Sequence, residues 1–483
     1  MIEPFNTSML TSILPEIALL VLVMIVMLID LIRHSRSVRL GGVTAAGLLG
    51  IVALTLLFAH PGDKDSLVLG GMLHFDRIGF TFKVMIYMAA AITCLLTSAN
   101  EELDTSGEFY ALLLVSVLGM GLMVMSADLI MLYLAIEMTS IPLYVLAGFA
   151  RREQKSTEAG VKYMLFGAIS SAVMLYGFSL LFGISGETNL YALTTALMGS
   201  SASLGTILGA AVLVLIGLSF KISAVPFHFW APDVYEGAPT AVTAFISTAS
   251  KAAGFMVLVR ISQVVFPGIS ETWTLILAII ATVTMTTGNL LALAQDNIKR
   301  MLAYSSIAHA GYVLIGLVTY TTFGVASVTF YLGIYVLSNL AAFGIVDIFA
   351  RSTGSEQIAD LAGFSRRSFG MGIALLAVML SLTGMPPFAG FVGKVFLFAA
   401  AVEAGWVWLA VVGVLNAILG VYYYLTVVKI AFLHRSEELE ARPVKIQFSQ
   451  GLAVTLCVVT ITILGVVSAP ALDWALGASI SLF

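Results

Sequence analysis

Apolar stretches about twenty residues long follow one another along almost the whole of this 483-residue chain. That length is what an α-helix needs to cross the hydrocarbon of a bilayer, where the backbone must satisfy its own hydrogen bonds. The first seven stretches run at about 13–32, 40–59, 78–98, 109–126, 128–149, 160–183 and 204–230. The other seven run at about 239–263, 272–294, 300–320, 325–350, 371–400, 405–433 and 450–471. With 60% hydrophobic and 10% charged residues and a mean hydropathy of +1.03, the composition lies outside that of soluble domains. The expected fold is an all-α polytopic membrane protein of about 14 transmembrane helices.

Composition also removes several functions. A net charge of −4 gives no electrostatic reason to bind nucleic acid. The two cysteines, Cys94 and Cys457, both fall inside apolar spans. Two thiols cannot build a disulfide framework or a four-cysteine iron–sulfur site, and no haem attachment motif surrounds them. No Rossmann fingerprint and no metal-ligand cluster is present, so neither catalytic redox residues nor a metal site is expected. The first sixteen residues lack the positive start of a signal peptide, and Ile17–Asp30 continues into a full span.

The basic loops set the orientation. Arg33, Arg36 and Arg39 follow the first span, and Arg151, Arg152 and Lys155 the fifth. Lys299 and Arg300 follow the ninth, Arg366 and Arg367 the eleventh, and Arg435, Arg442 and Lys445 the thirteenth. If the spans alternate, all of these share one face, which the positive-inside rule makes cytoplasmic. The opposite loops carry little beyond Lys64 and Arg77, and both termini are expected outside.

A repeat is visible at an offset of 168. Asp128 to Gly148 matches Asp296 to Gly316 at eight of 21 positions, and the same offset pairs Tyr163 with Tyr331 and Ser170 with Ser338. Val225-Pro226-Phe227 likewise resembles Pro386-Pro387-Phe388. The fifth span therefore pairs with the tenth; five is odd, so the halves are inverted. Inverted repeats with helices broken at matching places are a transporter signature. The expected organisation is three N-terminal helices (1–108), a five-helix repeat (109–263, helices 4–8), its inverted copy (272–433, helices 9–13) and a C-terminal loop with the last helix (434–483). Helices 7 and 12 are expected to be interrupted at Pro226 and at Pro386 and Pro387.

Within these apolar segments lie Glu137, Lys221, Lys251 and Lys394. A charge at the bilayer centre costs about 2.5–3.5 kcal/mol on insertion scales, so such residues are used or hidden from lipid. Lys221 precedes Pro226, and a proline break leaves carbonyls open to water or to an ammonium group. A lysine balanced between burial and a carboxylate such as Glu137 can gain and lose a proton when its partner moves. Lys251 sits among small residues that leave room for water. Lys394 follows the second break in a Gly-Lys pair that is not a phosphate loop, because Val395 replaces the required Ser or Thr. Lys162 lies one turn inside its span, where snorkelling or a helix pair with Glu158 is an equal reading. His228 and His309 are titratable, although buried histidines are often packing residues. Asp128 and Asp296 read as helix caps; Tyr422-Tyr423-Tyr424 could line a wet path, with packing the stronger reading.

The segment Phe220-Lys-Ile-Ser-Ala-Val-Pro-Phe-His-Phe-Trp-Ala-Pro-Asp-Val-Tyr-Glu-Gly-Ala-Pro239 resembles the seventh-helix motif of the antiporter-like subunits of respiratory complex I, which are related to Mrp-type cation/proton antiporters. Pro232–Pro239, Asn297–Ser306 and Tyr422–Leu425 are similar to the subunit-N branch of that family. Subunit M typically has a glutamate where Lys394 stands, and subunit L carries a lateral helix not expected in a chain ending at Phe483. The resemblance covers essentially the whole chain. It implies a proton-translocating membrane subunit of an NADH–quinone oxidoreductase. Glu137 would modulate Lys221, Lys251 would be the central relay, and Lys394 would lead onward. Lys162, His309 and His228 would be further members. It implies that NADH, FMN, iron–sulfur clusters and quinone are handled by other subunits and that this chain binds no cofactor. Partners would be the antiporter-like M subunit, the small K-, J- and A-type subunits and the lipid bilayer, in a bacterial inner membrane. The alternatives are an Mrp-type antiporter subunit and a photosynthetic complex I-like dehydrogenase of the thylakoid.

Overall fold

The computed structural model describes residues 7–32, 39–61, 65–440 and 442–482; Arg33, Arg36 and Lys64 lie outside them. Among the described residues, thirteen helices are long and apolar enough to cross a membrane. The expected span at 371–400 makes the fourteenth, as two half-helices, Phe369–Thr383 and Ala389–Glu403. The seventh span stops at Ile222 and resumes as Trp230–Gly237.

The two breaks share one geometry. Each upstream half ends in a left-handed residue, Ser223 (φ 58°) or Gly384 (φ 86°). The next N–H then reaches back five residues, Ala224 N to Ser219 O at 2.8 Å and Met385 N to Leu380 O at 3.0 Å. This is the helix stop that normally takes glycine. Ser223 pays the strain of a Cβ there, of order 1–3 kcal/mol; at Gly384 a Cβ would also stand 2.8 Å from Cδ of Lys394. Val225-Pro226 and Pro386-Pro387 are both cis.

The repeat extends to detail that hydropathy does not carry. The sixth span, Gln154–Ser185, and the eleventh, Thr322–Thr353, have 32 residues each and end in left-handed Gly186 and Gly354. Isolated bridges join Asp128 to Asn189 and Asn297 to Gln357. The first sits with a hairpin of Ser66–Val68 and Leu73–Phe75, since Leu73 bridges Ser126 and the Asn189 amide donates to Gly71 O at 2.8 Å. The second sits with the basic loops: Lys299 pairs with Glu356 at 3.0 Å, and Arg367 donates to Arg442 O at 2.9 Å. Equivalent bridges on opposite faces are what inversion requires.

One expectation is corrected. Asp128 caps its helix through Ile130 N (2.9 Å) and Met131 N (3.1 Å). In the second repeat the cap is Asn297, accepting from Lys299 N (2.9 Å) and Arg300 N (3.1 Å), and not Asp296. The second helix starts one residue later than strict alignment implies, and an amide oxygen caps as well as a carboxylate. Elements not foreseen include the hairpin, a short helix Leu190–Gly199, and a C-terminal helix Ala469–Ser479 packed against the third and eleventh spans.

The eighth, tenth and eleventh spans are buried nearly throughout. The first and thirteenth turn Leu20, Met24, Leu28, Leu415 and Ile418 outward, as lipid-facing helices do. Lys251 and His309 lie on the eighth and tenth spans, whereas Glu137, Lys221 and Lys394 sit on the fifth, seventh and twelfth.

Candidate functional site

Lys221, Lys251 and Lys394 are 6%, 2% and 5% exposed, so none of them faces lipid. Each ammonium is held by neutral oxygen atoms. Lys221 Nζ donates to Ser140 Oγ at 2.6 Å. Lys251 Nζ donates to Ser306 Oγ at 2.6 Å and to the Ser306 carbonyl at 3.0 Å. Lys394 Nζ donates to the carbonyls of Leu382 (3.1 Å) and Thr383 (2.8 Å) and lies 4.7 Å over the Tyr312 ring. The carbonyls freed by a helix break thus receive an ammonium at the second break, with Lys394. At the first break, where this was expected of Lys221, the Phe220 carbonyl accepts from Trp230 Nε1 at 3.1 Å instead.

Glu137 is half-buried and bonded to Ser171. It makes no ion pair with Lys221. The two are joined indirectly, since Ser140, the partner of Lys221, stands one turn along from Glu137 on the fifth span.

The stem of Lys221 runs against Gly254 of the eighth span, three residues past Lys251; a Cβ there would stand 3.2 Å from Lys221 Cγ. From Lys251 onward, hydrogen bonds alternate with ring contacts, since Tyr335 meets His309 only ring to ring, at 5.3 Å between centroids. Ser306 shares its hydroxyl with Tyr335 at 2.6 Å. One turn later on the tenth span, His309 bonds Tyr331 through Nδ1 (2.6 Å) and Tyr424 through Nε2 (3.0 Å), and Tyr424 bonds Ser305. The His309 ring lies 5.7 Å from that of Tyr312, which lies under Lys394. Tyr424 of the tyrosine run is therefore part of the row, whereas Tyr422 faces outward. The serines and tyrosines were missed. Ser305, His309 and Tyr312, and Tyr331 and Tyr335, recur at helical spacing in apolar helices, a signal that was available.

Two candidates lie off the row. His228 is buried beside Phe229, its Nδ1 without a partner among the described residues. Lys162 pairs with Glu158 (2.8 Å) and Asp233 (2.6 Å) at the end of the bundle that carries the basic loops. There Arg300 joins Asp233 (2.8 Å) to Glu236 (3.1 Å), and Lys155 completes the cluster at 2.9 Å. Burial raises the carboxyls of Asp233 and Glu236, but hydrogen bonds from Lys162 and Arg300, and from Lys155 and Arg300, outweigh it and hold both below their ordinary range. Groups lowered on folding stabilise above their unfolded value and lose that contribution as pH falls through the lowered one. Acidifying the medium at the basic-loop end below about pH 4 is therefore expected to loosen Trp230–Gly237 by about 1 kcal/mol or less per half-exposed pair. Hydrogen exchange corrected for intrinsic rate reads this; unchanged protection between pH 7 and pH 3 contradicts it.

The sequence reading also missed two buried ionic groups. Glu16 and Lys83 pair at 2.5 Å, with Tyr87 donating to the same carboxylate at 3.3 Å. At the end of the bundle opposite the basic loops Arg260, 2% exposed, pairs with the fully buried Asp76 at 2.8 Å, beside His74 and Tyr191. Lysines 83, 155, 162 and 299 thus hold carboxylates, while 221, 251 and 394 do not.

Comparison with known proteins follows the same lines. The profile of the family described as NADH:quinone oxidoreductase/Mrp antiporter, transmembrane, matches residues 126–420. NADH-quinone oxidoreductase subunit N of Moorella thermoacetica is 40% identical over 455 residues, 94% of this chain and 94% of that one. The chain belongs to that family. A chain of respiratory complex I from Thermus thermophilus with bound aureothin superposes with a TM-score of 0.81 at 32% identity, covering 95% of this chain and 98% of that one. A chain of the Mrp complex from a Dietzia species shares the fold, with a TM-score of 0.82 over 99% of this chain and 98% of that one, at 20% identity.

Proposed function

We propose that this family member is a proton-translocating membrane subunit of an NADH–quinone oxidoreductase, and that protons move along Glu137, Lys221, Lys251 and Lys394, with His309 as the joint between the last two. The observation that carries the reading is the sorting of the lysines. An ammonium locked to a carboxylate stays charged. One held only by hydroxyls and carbonyls, as Lys221, Lys251 and Lys394 are, can give up its proton without stranding a buried anion. Ser306, Tyr335, Tyr331 and Tyr424 supply hydroxyls that both donate and accept, as a relay between lysines needs.

Glu137 acts on Lys221 from one helical turn away, through the Ser140 end of the fifth span, so that movement of that helix changes the field at the ammonium. Lys162 belongs to the ionic cluster that seats the second half of helix 7. NADH, FMN, iron–sulfur clusters and quinone are the business of other subunits, and this chain binds no cofactor. It packs in a bacterial inner membrane beside an antiporter-like M-type subunit and the small K-, J- and A-type subunits. The relatedness to subunit N, at 40% identity over 94% of both chains, disfavours sodium/proton exchange without redox chemistry.

The test is made in the assembled complex. Lys221→Ala or Glu137→Gln is expected to lower the protons moved per electron while quinone is still reduced. An unchanged ratio in a fully assembled complex removes these residues from the pathway.

A further inference from the structure

The Arg260 cluster is not explained by the row. Five elements meet there: the hairpin strand Leu73–Phe75, the cap of the third span, the end of the fourth span Gly107–Met125, the short helix Leu190–Gly199 and the outer end of the eighth span. One ring nitrogen is its hub. His74 Nδ1 lies 2.6 Å from Tyr191 Oη, 3.2 Å from Arg260 Nη1 and 3.1 Å from Asp76 Oδ2. Arg260 also donates to Tyr191 Oη (3.2 Å) and to the Val124 carbonyl (2.9 Å). Asp76 Oδ1 accepts from Gly79 N at 2.9 Å. A tenth of the His74 side chain remains exposed, against none of Asp76.

These contacts cannot all persist when the proton count at His74 changes. With the neutral ring's proton on Nε2, the tautomer that leaves an acceptor facing the guanidinium, Nδ1 shares its one lone pair between Arg260 and the tyrosine hydroxyl. Protonated, it becomes a donor: it turns to Asp76, repels Arg260 and leaves Tyr191 without an acceptor. Asp76 stays ionised throughout, because burial, which raises its carboxyl, is outweighed by Arg260 and His74, which hold it at about 2. Among the described residues the other charges nearby are Asp65 and Arg77.

Arg260 ends a regular helical segment, Lys251–Arg260, set between two π-helical turns, Ile246–Ser250 and Ile261–Val265. Such turns let a helix segment shift against its flanks. Lys251 stands at the other end of that segment.

We propose that His74 is a proton-binding site on the outer face that sets the seat of Arg260, and through it the outer end of the segment carrying Lys251. One proton from the outer medium binds Nδ1 and leaves to the same side. When it is bound, Arg260 gives up its contact with His74 and the clamp on Lys251–Arg260 loosens. Acid on the side to which protons are delivered therefore slows the subunit. The link to Lys251 rests on the proposed function above; the switch at His74 does not.

The experiment is hydrogen exchange on the purified complex between pH 8 and pH 5, corrected for intrinsic rates, read at 66–76 and 252–265. The native protein is expected to lose protection there as pH falls, and His74→Gln, whose amide does not titrate, to show none of that pH dependence. Tyr191→Phe removes one donor from unprotonated Nδ1 and is expected to move the transition to higher pH. The proposal is overturned by flat protection in the native protein or by an unchanged transition in His74→Gln. If His74→Gln does not assemble, an unmoved midpoint in Tyr191→Phe overturns it. A transition lost in His74→Gln while Lys251 variants pump normally would leave the switch standing and remove the lysine row.

Discussion

Lys251→Met is expected to stop proton translocation through this subunit, and Lys251→Arg is expected not to restore it. Methionine fills much of the lysine volume, so the close packing around the eighth span survives. Ser306 keeps its bond to Tyr335 while losing the ammonium. What disappears is a group that can hold and release a proton between Lys221 and His309. Positioned acid–base groups contribute on the order of 10²–10⁴ in rate, so the affected step should slow by at least about a hundredfold. Arginine separates the explanations. It supplies the same positive charge but does not deprotonate in proteins. A structural need for a cation at this position predicts rescue by Lys251→Arg; a need for a proton carrier predicts none. Proton uptake per electron in proteoliposomes of the assembled complex reads the difference, and near-native pumping in Lys251→Arg would defeat the relay.

The largest effect on stability should come from Arg260→Ala. Its partner Asp76 is wholly buried, and removing the guanidinium leaves that carboxylate uncompensated, with Val124 O and Tyr191 also losing a donor. Breaking a buried pair from one side costs about 3–5 kcal/mol, a large share of the roughly 5–15 kcal/mol by which folded proteins are stable. The variant should unfold at markedly lower temperature or fail to assemble. The paired change Arg260→Met with Asp76→Leu, which removes both charges, should recover most of the loss, since apolar replacement of a whole buried pair is often neutral. If the single and paired variants melt alike, the ion pair is not what holds this corner.

Much of the architecture was legible because lipid imposes simple rules. Span length follows from bilayer thickness. Inversion follows from an odd number of spans between Asp128–Gly148 and Asp296–Gly316. The breaks were visible because proline cannot continue a helix, as Pro226 and Pro386-Pro387 show. Lys221, Lys251 and Lys394 stood out because a charge in an apolar run has no ordinary reason to be there. Arg260 had the same credentials but lies near the end of its span, where an arginine is expected to snorkel. Asp76 and His74 looked like loop residues, and Glu16 lay close to the N-terminus.

The sequence by itself determined the membrane spans, the two breaks and which spans carry charge. These depend on local chemistry: the cost of exposing backbone or charge to hydrocarbon is set by each segment alone. Tertiary structure alone decided the partner of each charge. The structure seats Lys221 on a serine and Lys83 on a glutamate, and it gathers His74, Asp76, Tyr191 and Arg260 around one nitrogen. Hydropathy is blind to that choice because it scores every buried lysine alike, whereas the ability to release a proton depends on which atoms lie within 3 Å of the ammonium.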